Sequence, residues 1–124
     1  MYVLAKLTSE ICGAAIEVHR HLGLGLLESA YEECLCHELS QRGLEFERQV
    51  SLPVVYTSVP LDCGYKLDIV VEDQVILELK SVERVEPVHA AQIRTYLKLS
   101  GKKVGLLLNF YVELMKDGIT RRVL

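Results

Sequence analysis

The chain reads as a mixed α/β domain of the α+β type, with a central mixed β-sheet flanked by helices in the order helix, helix, four strands, helix, strand and a short C-terminal β segment. Three observations predict this arrangement. Apolar residues recur at helical spacing in two successive N-terminal stretches, each closed by glycine. A period-two hairpin follows, and after it comes a strand, helix, strand unit whose crossover implies a parallel pair.

The first helix spans about Leu7 to Leu22. Leu7, Ile11, Ala14, Ala15, Val18 and Leu22 form its stripe, and Thr8 or Ser9 is placed to cap its start. Gly23-Leu24-Gly25 ends it. A second helix runs from about Leu27 to Arg42 on Ala30, Tyr31, Cys34, Leu35 and Leu39, with Gly43 after it. Glu28 falls in its first turn, where the helix dipole favours a carboxylate. Tyr31 lies on nearly the same face, and by position alone it belongs to the core. Glu17 and His21, like Glu33 and His37, are four apart rather than in the Glu-x-x-His spacing of carboxylate-metal bundles, so these histidines read as surface or packing residues.

Leu44 to Val50 alternates as a strand, continued by Leu52 to Tyr56 after a kink at Pro53, and Thr57-Ser58-Val59-Pro60 reads as a turn. Leu61 to Val71 and Val75 to Ser81 then make the hairpin. If Glu72, Asp73 and Gln74 form a three-residue loop, Val71 pairs with Val75 and Asp68 faces Glu78. In that register Leu67, Ile69 and Val71 share a face, and Glu78, Lys80 and Ile76 take the face opposite to Val75, Leu77 and Leu79. A two-residue loop would mix core with polar positions. A third helix runs from Pro87 to Ser100, with proline at its first position and Gly101 behind it. Lys103 to Phe110 is a buried strand, and Val112 to Leu124 is a small terminal hairpin or strand pair turning at Lys116-Asp117-Gly118.

The hairpin charges carry the chemistry. Directly opposed carboxylates have Cβ atoms roughly 4.5 to 5.5 Å apart and repel each other, a conflict that a hard divalent cation removes. Mg²⁺ takes one or two carboxylates, keeps water and leaves positions for phosphate oxygens. Lys80 would stand beside such an ion, able to orient or deprotonate an attacking water or to steady developing charge. Glu-x-Lys on a strand is also what a solvated face looks like, and from these residues alone both readings stand.

At 124 residues the chain is expected to be a single domain over 1–124. It is 50% hydrophobic and 25% charged, an ordinary globular composition. It holds no apolar run of membrane-spanning length, and Met1-Tyr2-Val3-Leu4-Ala5-Lys6 lacks a leader pattern, so a cytoplasmic location is expected. Cys12, Cys34, Cys36 and Cys63 form no Cys-x-x-Cys pair, and reduced, mostly buried thiols are expected in preference to a zinc site. A net charge of −3 argues against a broad nucleic-acid footprint. It leaves room for a small basic patch around Arg94, Lys98, Lys102 and Lys103, with Arg121 and Arg122 in the tail.

Gly25-Leu26-Leu27-Glu28-Ser29-Ala30-Tyr31, Gly64-Tyr65-Lys66-Leu67-Asp68, Glu78-Leu79-Lys80, Pro87-Val88-His89-Ala90-Ala91-Gln92 leading to Tyr96, and Leu107-Leu108-Asn109-Phe110 with Lys116-Asp117-Gly118-Ile119 together resemble the GxxExxY protein family, a small branch of the PD-(D/E)xK nuclease superfamily. The resemblance covers nearly the whole chain. Its departure is Leu24, where proline is expected between the two glycines, a matter of loop stiffness. It implies a restriction-endonuclease-like core and a metal-dependent nuclease using Mg²⁺ (or Mn²⁺). Asp68, Glu78 and Glu28 would be the metal ligands, Glu28 often acting through water, and Lys80 the catalytic lysine. Gln92 and Tyr96 match a helix that packs beside the site and can contact the nucleic-acid backbone, and Tyr31 of the naming motif joins them as a substrate-binding candidate. The implied partner is nucleic acid, DNA first, with no membrane; oligomeric state is not readable. The alternative is a nuclease-fold binding or regulatory module with little or no turnover.

Overall fold

The computed structural model describes residues 4–124. Met1 to Val3, part of the stretch read above for a leader, lie outside the described residues. Helix α1 (Ala5–Leu22) begins earlier than Leu7, with Leu4 in a left-handed conformation before it and no side-chain cap. The expected cap Thr8 instead sits inside the helix, its hydroxyl donating back to the carbonyls of Leu4 and Ala5 at 3.1 and 3.2 Å. Ala5 and Lys6 are good helix formers, which lets the first turn extend upstream. Helix α2 (Glu28–Gln41) follows the Gly23–Leu27 loop, and Gly43 after it has φ of 74°.

The strands are β1 (Phe46–Ser51), β2 (Val54–Tyr56), β3 (Val59–Leu61), β4 (Lys66–Val71), β5 (Val75–Lys80), β6 (Val104–Asn109) and β7 (Ile119–Val123), with helix α3 (Pro87–Ser100) between β5 and β6. Five of them form one sheet in the order β1-β4-β5-β6-β7. Only the β5–β6 pair is parallel, so the sheet is mixed as expected. Two expectations are corrected. Thr57 and Ser58 alone make the turn, both at positive φ, and β2 and β3 pair into a separate two-stranded ribbon rather than continuing β1. The C-terminal segment does not fold back on itself: a short 3-10 helix (Met115–Gly118) returns the chain so that β7 pairs with β6 at the sheet edge.

Helices α1 and α2 cover one face of the sheet. Ile11, Ala14, Ala15 and Val18 pack with Tyr31, Leu35 and Leu39 onto Ile69, Val71, Val75, Leu77 and Leu79. Leu97 of α3 covers the other face with Leu52, Val70 and Ile76. Gly105 permits this approach, because a Cβ there would lie 2.9 Å from the Ile93 side chain. Leu67 departs from the expected alternation: it packs on the α3 face with Val70 and Ile76 instead of beside Ile69. The alternation breaks across Asp68. All four cysteines are free thiols, but only Cys36 is buried; Cys12 and Cys34 are half-buried and Cys63 is exposed. Burial pushes the Cys36 thiol up to about 11.

Candidate active site

The β4–β5 hairpin has the expected register. Val71 pairs with Val75, Val70 with Ile76 and Ile69 with Leu77, and the next residues on the two strands are Asp68 and Glu78. The three-residue turn is held by Gln74 N–H donating to the Val71 carbonyl at 2.9 Å, with Glu72 and Asp73 at positive φ. Past Ile69 and Leu77 the main-chain ladder gives way to side chains. The Asp68 N–H donates to Glu78 Oε2 at 3.0 Å, and the Leu79 N–H donates to Asp68 Oδ2 at 2.8 Å. The strands therefore part at the two acids and are rejoined through them.

Both carboxyl groups sit in a costly environment. Glu78 is 8% exposed, and burial followed by the Asp68 charge pushes its pKa up to about 8, against smaller opposing effects of the Asp68 amide and Lys80. Asp68 is half-buried and also raised, by burial first and then by the charges of Glu32 and Glu28, while the Leu79 amide and Lys80 pull it down. Lys80 is half-buried at the end of β5, paired in the parallel ladder with Asn109, and its carbonyl accepts the Phe110 N–H at 2.9 Å.

The donor chemistry fits a hard divalent cation. One oxygen of each acid accepts an amide; the other, Asp68 Oδ1 and Glu78 Oε1, accepts no hydrogen bond among the described residues. Because no fully buried side-chain oxygen in them lacks a partner, these two oxygens open to solvent. Excess negative charge with two free hard donors is what a cation would relieve. Glu28 is exposed at the start of α2, near enough for both acids to feel its charge. The described residues bring no three His, Cys, Asp or Glu side chains together in a metal-holding group, so Glu28 stands outside the Asp68–Glu78 pair. The loop leading to it is tied to the strand end by Ser81 Oγ, which donates to the Leu26 carbonyl at 2.8 Å.

Tyr96 is half-buried on α3, and its phenol is raised by burial and then by Glu78, Tyr65 and Asp68, which places it beside the acids. Gln92, one turn earlier, is exposed and makes no side-chain hydrogen bond among the described residues. The structure places Tyr31 elsewhere than a substrate surface. It is fully buried, stacked on Phe110 with ring centroids 4.4 Å apart. Its hydroxyl donates to the Gly23 carbonyl at 2.6 Å and accepts the Leu26 N–H at 3.2 Å. Its surface is spent on packing, as its helical position suggested, and its polar end fixes the loop before Glu28.

Four supporting residues have a place at the site that the sequence did not assign them. Glu32, one turn after Glu28, is buried and accepts from Arg48 (3.0 and 2.8 Å) and from Gln49 Nε2 (2.9 Å). Gln49 occupies the gap in the β1–β4 register between Arg48↔Ile69 and Val50↔Leu67, facing Asp68, with φ of 50°. Buried Asn109 clamps the exit from β5: its Oδ1 accepts the N–H groups of Val82 and Tyr111, and its Nδ2 donates to the Val82 carbonyl at 2.9 Å. A polar residue closing the apolar run of β6 was the available signal. Tyr65, against Tyr96 with centroids 6.1 Å apart, had none beyond its place before β4.

A family model described as the PD-(D/E)XK nuclease superfamily matches residues 5–122. The chain belongs to the PD-(D/E)XK nuclease superfamily. The match takes in every element from α1 to β7 apart from the last residue of that strand. Superfamily membership accounts for the five-stranded mixed sheet with helices on both faces, and it implies nucleic-acid binding and divalent metal. No curated protein and no solved structure matches the chain significantly. No helix among the described residues is long and apolar enough to cross a membrane.

Proposed function

We propose that this superfamily member is a metal-dependent nuclease of the GxxExxY branch, hydrolysing phosphodiester bonds of DNA with Mg²⁺ or Mn²⁺ in the cytoplasm. The observation that carries the reading is the Asp68–Glu78 pair, each acid pinned by a main-chain amide and each keeping one free oxygen. A divalent cation bound there supplies Lewis acidity toward a phosphoryl oxygen. Asp68 and Glu78 would hold it, with Glu28 the nearby acid whose charge both of them feel. Lys80 orients the attacking water and offsets the charge that gathers on the phosphoryl oxygens. Tyr96 and Gln92 steady the nucleic-acid backbone alongside.

A screen on labelled single-stranded, double-stranded and flap substrates with Mg²⁺ or Mn²⁺ tests this. Lys80→Ala should cut turnover by about 10²- to 10³-fold, as loss of one charge-stabilising donor does, with an unchanged melting temperature. Equal turnover in the variant removes Lys80 from the mechanism.

One observation favours a second reading, a nuclease-fold binding module. Burial raises Glu78 to about 8, and a carboxyl that holds its proton at neutral pH binds cations weakly there. Calorimetric titration showing no heat at millimolar Mg²⁺ or Mn²⁺ would select it.

A further inference from the structure

The site of Asp68 and Glu78 is a poor place for a polyanion to gain affinity from charge. Glu28, Glu32, Asp68 and Glu78 all act on it, and the chain carries a net charge of −3. Purchase on a nucleic acid must come largely from uncharged surface or from the metal itself. Such a surface lies close by in the chain. Tyr65 is 48% exposed, its ring tilted 56° to that of Tyr96 at 6.1 Å, and Tyr96 in turn is near enough to feel the charge of both acids. Among the described residues the Tyr65 hydroxyl makes no hydrogen bond, and its carbonyl accepts the Leu52 N–H at 2.9 Å. Tyr31 is fully buried in the core, whereas Tyr65 keeps about half of its surface exposed beside Tyr96. Lys66, next in sequence, is also exposed, a counter-charge for an adjacent phosphate. Tyr65 stands immediately before β4 and precedes Asp68 by three residues, so at most about 10 Å of extended chain separates them.

An aromatic ring offers a base stacking that is tolerant of sequence. A base within a duplex has both faces covered by its neighbours, and only an unpaired or extruded base can present one. We propose that Tyr65, which lies against Tyr96 and three residues before Asp68, is a stacking platform for an unpaired nucleobase, so that the substrate is single-stranded nucleic acid or a single-stranded end. This rests on the nuclease reading for the meaning of substrate; the platform itself requires only binding.

The test is fluorescence anisotropy of labelled single-stranded DNA, single-stranded RNA and a blunt duplex of the same sequence, in Ca²⁺ so that binding is read apart from cleavage. Tyr65→Leu should weaken binding of the single strand by about 10- to 100-fold and leave the weaker duplex binding unchanged, while Tyr65→Phe binds like the wild type. The tighter of the two single strands identifies the sugar. Should Tyr65→Leu melt early, the wild-type protein still decides the matter: one abasic site moved along the strand should cost affinity at one position. Loss at no position, a Leu variant that binds as wild type, or a preference for duplex overturns the platform. Metal-dependent cleavage indifferent to Tyr65→Leu sinks the platform alone. Tyr65-dependent binding without any cleavage in Mg²⁺ or Mn²⁺ sinks the nuclease reading alone.

Discussion

The main-chain amide of Asp68 donates to the Glu78 carboxylate at 3.0 Å, while the Asp68 carboxylate accepts the amide of Leu79 at 2.8 Å. Each acid thus stands where a carbonyl of the partner strand would sit in an unbroken ladder. An alanine at either position would leave a main-chain donor short of its acceptor, at about 1 to 3 kcal/mol. Amide replacements keep an acceptor oxygen and remove only the charge.

Glu78→Gln should therefore stabilise the metal-free protein at high pH and change it little at low pH. Glu78 titrates near 8 in the fold against its usual 4.5, so the folded state holds the extra proton between those values. The associated stability is full below pH 4.5 and is lost as pH rises through 8, an effect on the order of a few kcal/mol. Asp68, also raised, adds in the same direction. Melts in chelator from pH 5 to 9 should show the wild type falling and Glu78→Gln falling less. Parallel curves would show that Glu78 is not the group responsible.

Cation binding should release a proton at neutral pH. The pair must be ionised to hold a cation, so below the Glu78 value near 8 apparent affinity for Mn²⁺ should rise about tenfold per pH unit. Calorimetry in two buffers of different ionisation heat counts the proton. Saturation at a hundred times Kd should raise stability by about 2.7 kcal/mol, and Glu78→Gln should lose that gain. A pH-independent affinity would place the ion elsewhere.

Tyr31→Phe should loosen the approach to Glu28 without disturbing the core. The stack on Phe110 survives, while the Gly23 carbonyl and the Leu26 amide lose the hydroxyl. A cost of about 1 to 2 kcal/mol is expected in a melt, with faster hydrogen exchange at Leu26. Unchanged exchange there would mean that the loop is held by Ser81 alone.

The hairpin register was legible because both faces constrained it: one slip would have turned Ile69 and Leu77 outward and the acids inward. Helix α3 was legible to the residue, since Pro87 and Gly101 punctuate it. The β2–β3 ribbon was not, because Pro60 in a three-residue strand hides a partner that needs few ladder bonds. Nor was β7: the tail pattern suits a strand, but which edge it joins depends on the apolar β6 lying alone beside β5 until it arrives. At the site, Asp68, Glu78 and Lys80 could be placed by local pairing. Glu32 and Gln49 could not, because their meeting requires α2 to lie over β1, a relation that no local period encodes.

The pairings of β5 differ in how far along the chain they reach. Val71 meets Val75 across a three-residue turn, whereas Val75 meets Val104 only after α3 has been made and carried over the sheet. Short loops close in microseconds and long crossovers later. Opposition of Asp68 and Glu78 is thus expected early in folding, and the clamp of Asn109 on Val82 late. Truncation of Ile69 should slow refolding, and truncation of Leu106 should chiefly speed unfolding. The two repelling acids would then meet while still wet, before α3 closes over Ile76 and Val70, when their mutual charge costs least.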